Sequence, residues 1–140
     1  ICWEAKYLYN NWRPQPAIRR GAEDRNLLTA PDTAWTPLFA TPPHPEYPSG
    51  HTMNSSAMAV IMSNAFGESP GMPISSTISG INRQWGSFTD GVNEVIDARV
   101  YSGIHFRNSD EVGADAGTEI ANYVWAHALR PCQGGRRGCS

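Results

Sequence analysis

Two basic side chains near the start of the chain are spaced so that they could hold a small anion together. Lys6 and Arg13 lie seven residues apart in the segment KYLYNNWRP, which ends at Pro14. On one helix, seven residues turn through about 700°, so both side chains would leave the same face, roughly 10 Å apart. Arginine binds oxyanions through its planar fork and lysine adds a point charge, so the pair favours a phosphate-like ligand. A solvated basic face is the alternative interpretation.

A second candidate group opens a predicted helix in the middle of the chain. The run PSGH places Ser49, Gly50 and His51 just before an apolar segment. Backbone amides at a helix start attract anions, and Gly50 permits a ligand to approach the backbone closely. Ser49 adds a hydroxyl donor, and His51 can transfer protons near neutral pH. A simple helix cap is the alternative explanation.

The third group is Arg99 with His105 in the segment ARVYSGIHF. Six residues on an ideal helix would place these side chains about 120° apart, so the helix must end near Ser102 and Gly103 if both serve one site. An unprotonated imidazole in such a site can attack phosphorus or ligate a metal oxyanion. A buried structural histidine is the alternative.

In this order, the three groups resemble the signature of the vanadium haloperoxidase and type 2 phosphatidic acid phosphatase superfamily. Lys-x6-Arg-Pro, Pro-Ser-Gly-His and Arg-x5-His match its internal spacings, and the resemblance extends over about residues 3–125. It implies an all-α helical bundle around one oxyanion, here the C-terminal, active-site half of the catalytic domain. It also implies vanadate as the cofactor, with phosphate able to occupy the same site.

The resemblance implies a role for each matching residue. The oxyanion would be bound by Lys6, Arg13, Ser49, the Gly50 amide and Arg99. His105 would be the vanadium ligand, or the phosphorylated nucleophile of a phosphatase, and His51 would be the acid–base residue. His44 is a further catalytic candidate, because bromoperoxidases of this family tend to have histidine seven residues before the residue that matches His51, where chloroperoxidases have phenylalanine. It favours bromide or iodide as the halide.

Two positions depart from the family pattern. Ala98 stands where the family often has serine before the arginine, which we regard as minor. Ser109 stands where the family often has the aspartate that orients the second histidine, with Asp110 one residue further on. Either residue could hydrogen-bond a ring nitrogen, but a weaker orientation would lower reactivity.

Three functions follow from these observations. The first is a haloperoxidase, which uses hydrogen peroxide to oxidise halide and thereby halogenates an organic acceptor. The second is a soluble acid phosphatase that hydrolyses a phosphomonoester through a phosphohistidine. The third, from a different class, is a non-catalytic structural subunit that retains the pocket.

Four predicted helices must position these groups, and we find no convincing strand alternation. The first three cover residues 2–13, 51–66 and 89–101, and Pro14 and Gly67 are predicted to end the first two. The last helix is predicted to begin at Ser109 or Asp110. Its side chains toward the core are predicted to be Val112, Ala116, Ile120, Ala121 and Val124. Residues 14–50 hold eight of the eleven prolines and are predicted to form a long irregular crossing, while 67–86 is ambiguous.

Composition narrows the alternatives. A chain of 140 residues with 40% hydrophobic and 17% charged residues indicates one globular domain, 1–140, which we expect to be partial. A net charge of −2 argues against a general nucleic-acid binder, and no apolar run is long enough for a membrane span. Because Lys6 is almost the first residue, we expect another chain or segment to supply the family's preceding helices, and for this reason we expect an oligomer.

The three cysteines are Cys2, Cys132 and Cys139. The last two lie in an Arg/Gly-rich tail, residues 130–140, where a short loop could close between them. Such a pair would suit a secreted protein or another oxidising compartment. Three free thiols are the alternative, and the spacing does not indicate a structural zinc site.

Overall fold

The computed structural model describes residues 1–71, 74–78 and 81–128, and the predicted all-α fold is confirmed. The helices are α1 (Cys2–Tyr9), α2 (Pro14–Arg19), a 3₁₀ turn (Gly21–Asp24), α3 (Gly50–Phe66), α4 (Phe88–Tyr101) and α5 (Arg107–His127). One antiparallel hairpin, β1 (Ile74–Ile78) with β2 (Ile81–Trp85), lies in the segment that the sequence left ambiguous. The helices predicted at 51–66 and 89–101 are confirmed to within one residue.

The first predicted helix is wrong in its extent. It ends at Tyr9 because Asn10 adopts a left-handed conformation, with φ 48°, and its amide bonds the Lys6 carbonyl. Pro14 does not stop a helix but begins α2, at the position where a missing N–H costs nothing. Lys6 and Arg13 therefore do not share a helix face, and Arg13 instead caps α2.

The crossing predicted to be irregular over residues 14–50 contains α2 and the 3₁₀ turn, and elsewhere it lacks regular structure. The last helix begins at Arg107, two residues before the predicted start, with Phe106 as its N-cap. The predicted core stripe of α5 is only partly buried, since Val124 is exposed whereas Ala121 is buried.

Two buried glycines bring α5 against α3. Gly113 and Gly117 are one turn apart on α5. A Cβ on Gly117 would collide with the Met53 carbonyl, and one on Gly113 would collide with the Ser49 carbonyl and the Thr52 hydroxyl. The two backbones are therefore in direct contact beside the start of α3, which fixes that helix start relative to α5.

The break that the sequence required after Arg99 is present. Helix α4 ends at Tyr101, and Gly103 takes the left-handed conformation with φ 74°. A Cβ there would lie 2.9 Å from the Trp35 ring, so both the conformation and the space favour glycine. This turn sends the chain back so that His105 reaches the same site as Arg99.

Most of the buried side chains among the described residues are polar or charged. Among the described residues, the buried apolar side chains are Met53, Ile96, Ile104 and Ala121, together with Pro14 and Pro48, whereas ten polar or charged residues are buried. Buried polar groups are costly unless they are paired, so their concentration in one region marks a site. Within the described part of the chain, no helix is both long and apolar enough to cross a membrane.

Cys132, Cys139 and the tail over residues 130–140 lie outside the described residues, so their pairing stays a prediction. Cys2 is a free thiol in the described part.

Candidate oxyanion site

The three predicted groups meet at one cavity of about 420 Å³. Seven of the eight predicted site residues line it: Lys6, Arg13, His44, Gly50, His51, Arg99 and His105. The other lining residues are Cys2, Trp3, Pro42, Asn54 and Ser55. A separate cavity of about 460 Å³ lies between α3, α4 and α5, but it contains none of the predicted residues. The smaller cavity is therefore the one with the relevant chemistry.

Lys6 is buried in the wall of this cavity and holds the loop over residues 44–48. Its Nζ donates to the carbonyls of Pro45, Glu46 and Pro48 at 3.2, 2.9 and 2.6 Å. Burial lowers the pKa of Lys6 from its ordinary value, and the nearby positive charge of Arg13 lowers it further. Three acceptors match the three hydrogens of an ammonium group, so this geometry is that of a charged lysine.

Arg13 joins the same loop to the segment that carries His105. Its Nε donates to the His44 carbonyl at 3.1 Å, and its Nη1 donates to the Ile104 carbonyl at 2.8 Å. The guanidinium also lies 3.0 Å from His105 Nε2 and 3.1 Å from His44 Nδ1. Arg13 thus contacts both histidines from the interior side of the cavity.

The partner of the second histidine is Glu46, which sequence reasoning missed. His105 Nδ1 lies 2.6 Å from Glu46 Oε1, and the same oxygen accepts from the Phe106 amide at 3.1 Å. Both side chains are 2% exposed. Burial lowers the pKa of His105, the Glu46 hydrogen bond opposes that shift, and Arg13 adds to it. The net lowering leaves the imidazole neutral at pH 7.

The remaining histidines of the site are neutral as well. The pKa of His51 is lowered by burial first, and then by the positive charges of Arg99, Lys6 and Arg13. The pKa of His44 is lowered mainly by burial, and its ring packs edge-on against Trp3 with centroids 4.9 Å apart. A neutral His51 can accept a proton, which is what an acid–base residue needs at the start of a reaction.

Ser49 is the one predicted residue that does not line the cavity. It is fully buried behind Gly50, as the N-cap of α3, and its amide donates to the Ser109 carbonyl at 3.0 Å. Its hydroxyl lies close enough to Asp110 to lower the pKa of that carboxyl, yet no hydrogen bond of good geometry forms between them. Burial outweighs this effect and raises the pKa of Asp110 to about 6.

The charges and unpaired donors of the site suit an anion. Lys6, Arg13 and Arg99 face the carboxylates of Glu46 and Asp110, which leaves one net positive charge when the histidines are neutral. Within the described residues, Arg99 Nε and Ser49 Oγ are buried with no hydrogen-bond partner. Ser49 lies outside the cavity lining, but a tetrahedral oxyanion in the cavity would supply the acceptor that Arg99 Nε lacks. The residues present therefore fit vanadate or phosphate.

Comparison with known proteins identifies the family of the chain. The family model described as "VCPO second helical-bundle domain" matches residues 1–134. The chain belongs to the vanadium haloperoxidase superfamily. A bacterial vanadium-dependent iodoperoxidase has a similar structure, with 31% identity and a TM-score of 0.75 over 89% of this chain. This haloperoxidase-superfamily chain spans only 29% of that protein.

A second similar structure is a bacterial vanadium-dependent chloroperoxidase in its holo form, with 22% identity and a TM-score of 0.71. It covers 86% of this haloperoxidase-superfamily chain and is itself covered over 31% of its length. That likeness shows the fold alone. No curated protein sequence matches the chain significantly.

Proposed function

We propose that this chain carries the vanadate-binding site of a haloperoxidase that oxidises halide with hydrogen peroxide. The observation that supports the proposal best is the neutral His105, which has a carboxylate on one ring nitrogen and the cation-lined cavity on the other side. Such an imidazole has a lone pair available to a metal centre. Bound vanadate would supply Lewis acidity that activates hydrogen peroxide toward halide.

The residues of the chain would divide the work of holding that group. Arg13 and Arg99 would bind oxyanion oxygens, and Lys6 would contribute positive charge from behind the loop over residues 44–48. The Gly50 amide would donate from the start of α3, where the first N–H groups lack partners within the helix. His105 Nε2 would be the ligand atom. Arg13 Nη1 would then have to give up the hydrogen bond that it now donates to this nitrogen.

His51 would accept a proton from an incoming reactant. Its position at the cavity edge and its lowered pKa keep the ring unprotonated near neutral pH. Proton transfer by a positioned histidine contributes roughly 10²- to 10⁴-fold to a rate.

The halide is proposed to be iodide or bromide. The solved structure at 31% identity is that of an iodoperoxidase. His44 lines the cavity at the position that the resemblance associates with bromide or iodide, and Arg13 and Trp3 hold its ring in place. A polar ring there would favour a large, easily oxidised halide over chloride.

A soluble acid phosphatase is the second candidate, because the same neutral imidazole is also a nucleophile toward phosphorus. The cation set that suits vanadate suits a phosphomonoester equally well. In that case His105 would form the phosphohistidine, and His51 would protonate the leaving group when it is itself protonated, at a pH below its lowered pKa.

The deciding experiment compares two activities and three histidine variants in the full chain. With vanadate present, we expect peroxide- and iodide- or bromide-dependent halogenation of an organic acceptor, inhibited by phosphate. His105→Ala should abolish both the activity and vanadate binding, whereas His51→Ala should slow turnover at least 100-fold with vanadate still bound. His127→Ala is the matched control, because that histidine is exposed at the end of α5.

Hydrolysis of a phosphomonoester that vanadate inhibits, with no vanadate-dependent halogenation, would favour the phosphatase. Absence of both activities in a folded protein that also fails to bind vanadate would point to the structural subunit.

A further inference from the structure

We propose that Glu46 is the positioning residue of the proposed active site, fixing the tautomer and orientation of His105 in place of the aspartate that the family signature has at position 109. The expected effect on vanadate binding rests on the proposed function, whereas the contact between Glu46 and His105 does not depend on it. Glu46, which lies between Pro45 and Pro48 in the loop before α3, was assigned no role from the sequence.

The first argument is the contact set of the imidazole. Arg13 Nη1 lies 3.0 Å from His105 Nε2, and a guanidinium only donates hydrogen bonds. His105 Nε2 must therefore accept, so the ring hydrogen is on Nδ1. That hydrogen points at Glu46 Oε1, which lies 2.6 Å from Nδ1, and a carboxylate only accepts. The two neighbours therefore select the same tautomer, which leaves the lone pair on Nε2.

The second argument is that the loop holds Glu46 rigidly. Its amide donates to the Asn11 carbonyl at 3.0 Å, and its carbonyl accepts from Lys6 Nζ at 2.9 Å. Its side chain accepts from the Phe106 amide as well as from the imidazole. Glu46 is 1% exposed, so solvent does not compete for these contacts. A positioning group needs this kind of support to hold another side chain in place.

The third argument excludes the two residues that the sequence put forward for this role. Ser109 directs its hydroxyl to the Glu46 carbonyl at 3.5 Å, not to the imidazole. Both oxygens of Asp110 lack a hydrogen-bond partner within the described residues, and Asp110 is not among the charges that shift His105. The carboxylate has thus moved from the first turn of α5 to the loop that precedes α3.

The test uses Glu46→Gln in the full chain, with Asp110→Asn as the matched control. Glutamine keeps the size of the side chain but removes its charge and lets an amide N–H face the ring. In the vanadate-free protein, ¹⁵N NMR of labelled histidine should report the Nδ1–H tautomer of His105 in the wild type. Because Arg13 still donates to Nε2, Glu46→Gln should lower the Nδ1–H fraction of His105 without abolishing it, and should weaken vanadate binding about 10- to 100-fold. Asp110→Asn should leave the tautomer unchanged.

The outcomes separate this inference from the proposed function. A wild-type His105 in the Nε2–H form would overturn the inference even if the variant failed to fold. So would a folded Glu46→Gln protein with an unchanged tautomer and a vanadate Kd within twofold of the wild type. A shifted tautomer in a protein that shows no halogenation would support the positioning role and contradict the proposed function alone.

Discussion

Because α3 and α5 are in close contact, we expect a glycine-to-alanine substitution between them to destabilise the protein, which is opposite to the usual effect of this substitution in a helix. In a helix interior, alanine is favoured over glycine by about 1 kcal/mol. A Cβ on Gly117, however, would overlap the Met53 carbonyl and lie 3.0 Å from the Met53 Cα. Because backbone atoms cannot rotate away, the two helices must separate, and overpacking of this kind costs about 1–3 kcal/mol.

We therefore expect Gly117→Ala to lower the free energy of unfolding by up to about 2 kcal/mol, which is the overpacking cost less the gain of about 1 kcal/mol in helix propensity. Gly91→Ala in α4 is the matched control, since its Cβ would meet only the Trp85 ring, at an ordinary 3.8 Å. That variant should gain about 0.5–1 kcal/mol. Urea unfolding and thermal melts of the full chain would measure both, and the midpoint temperature of Gly117→Ala should be lower than that of the control by up to roughly 10 °C. If Gly117→Ala were as stable as the control, the close packing of these helices would be refuted.

Two further predictions concern titrating groups. Because the folded pKa of Asp110 is raised to about 6, its ionisation destabilises the fold as pH rises from about 4 to 6, by up to about 3 kcal/mol. Asp110→Asn should remove this loss of stability. Asp115 is an exposed carboxyl on the same helix, so Asp115→Asn should leave the loss in place. If the pH profile of unfolding were unchanged in Asp110→Asn, the raised pKa of Asp110 would be contradicted. The NMR midpoint of His51 should lie below its ordinary value, and Arg99→Gln should raise it by removing the largest charge effect. A midpoint that does not move would contradict the effect of the Arg99 charge on the pKa of His51.

The helix boundaries near the three groups could be predicted because they depend on interactions between residues that are close in sequence. Helix arithmetic required a break between Arg99 and His105, and the left-handed Gly103 provides it. The start of α3 followed from the PSGH run. The end of α1 was missed because asparagine adopts both helical and left-handed conformations, and Asn10 takes the left-handed one here. The role of Pro14 was missed because proline can either end a helix or occupy its first position, as it does in α2.

The rest depends on contacts between distant parts of the chain. Glu46 and His105 are 59 residues apart, and a glutamate within a proline-rich loop carries no periodic signal that would mark it. The only available hint was indirect, namely the missing aspartate at Ser109. The close approach at Gly113 and Gly117 was also missed, although two small residues one turn apart on a helix are a signal that could have indicated it.

The three hydrogen bonds of Lys6 have a consequence for which anions the cavity admits. An anion that takes one N–H from Lys6 leaves a carbonyl of Pro45, Glu46 or Pro48 without its donor. An oxyanion with strongly basic oxygens, such as phosphate or vanadate, compensates for that loss through a stronger hydrogen bond from the ammonium group, whereas a weakly basic anion does not. The cavity should therefore select by the basicity of the anion's oxygens as well as by shape, and should disfavour nitrate and perchlorate, even when both are abundant.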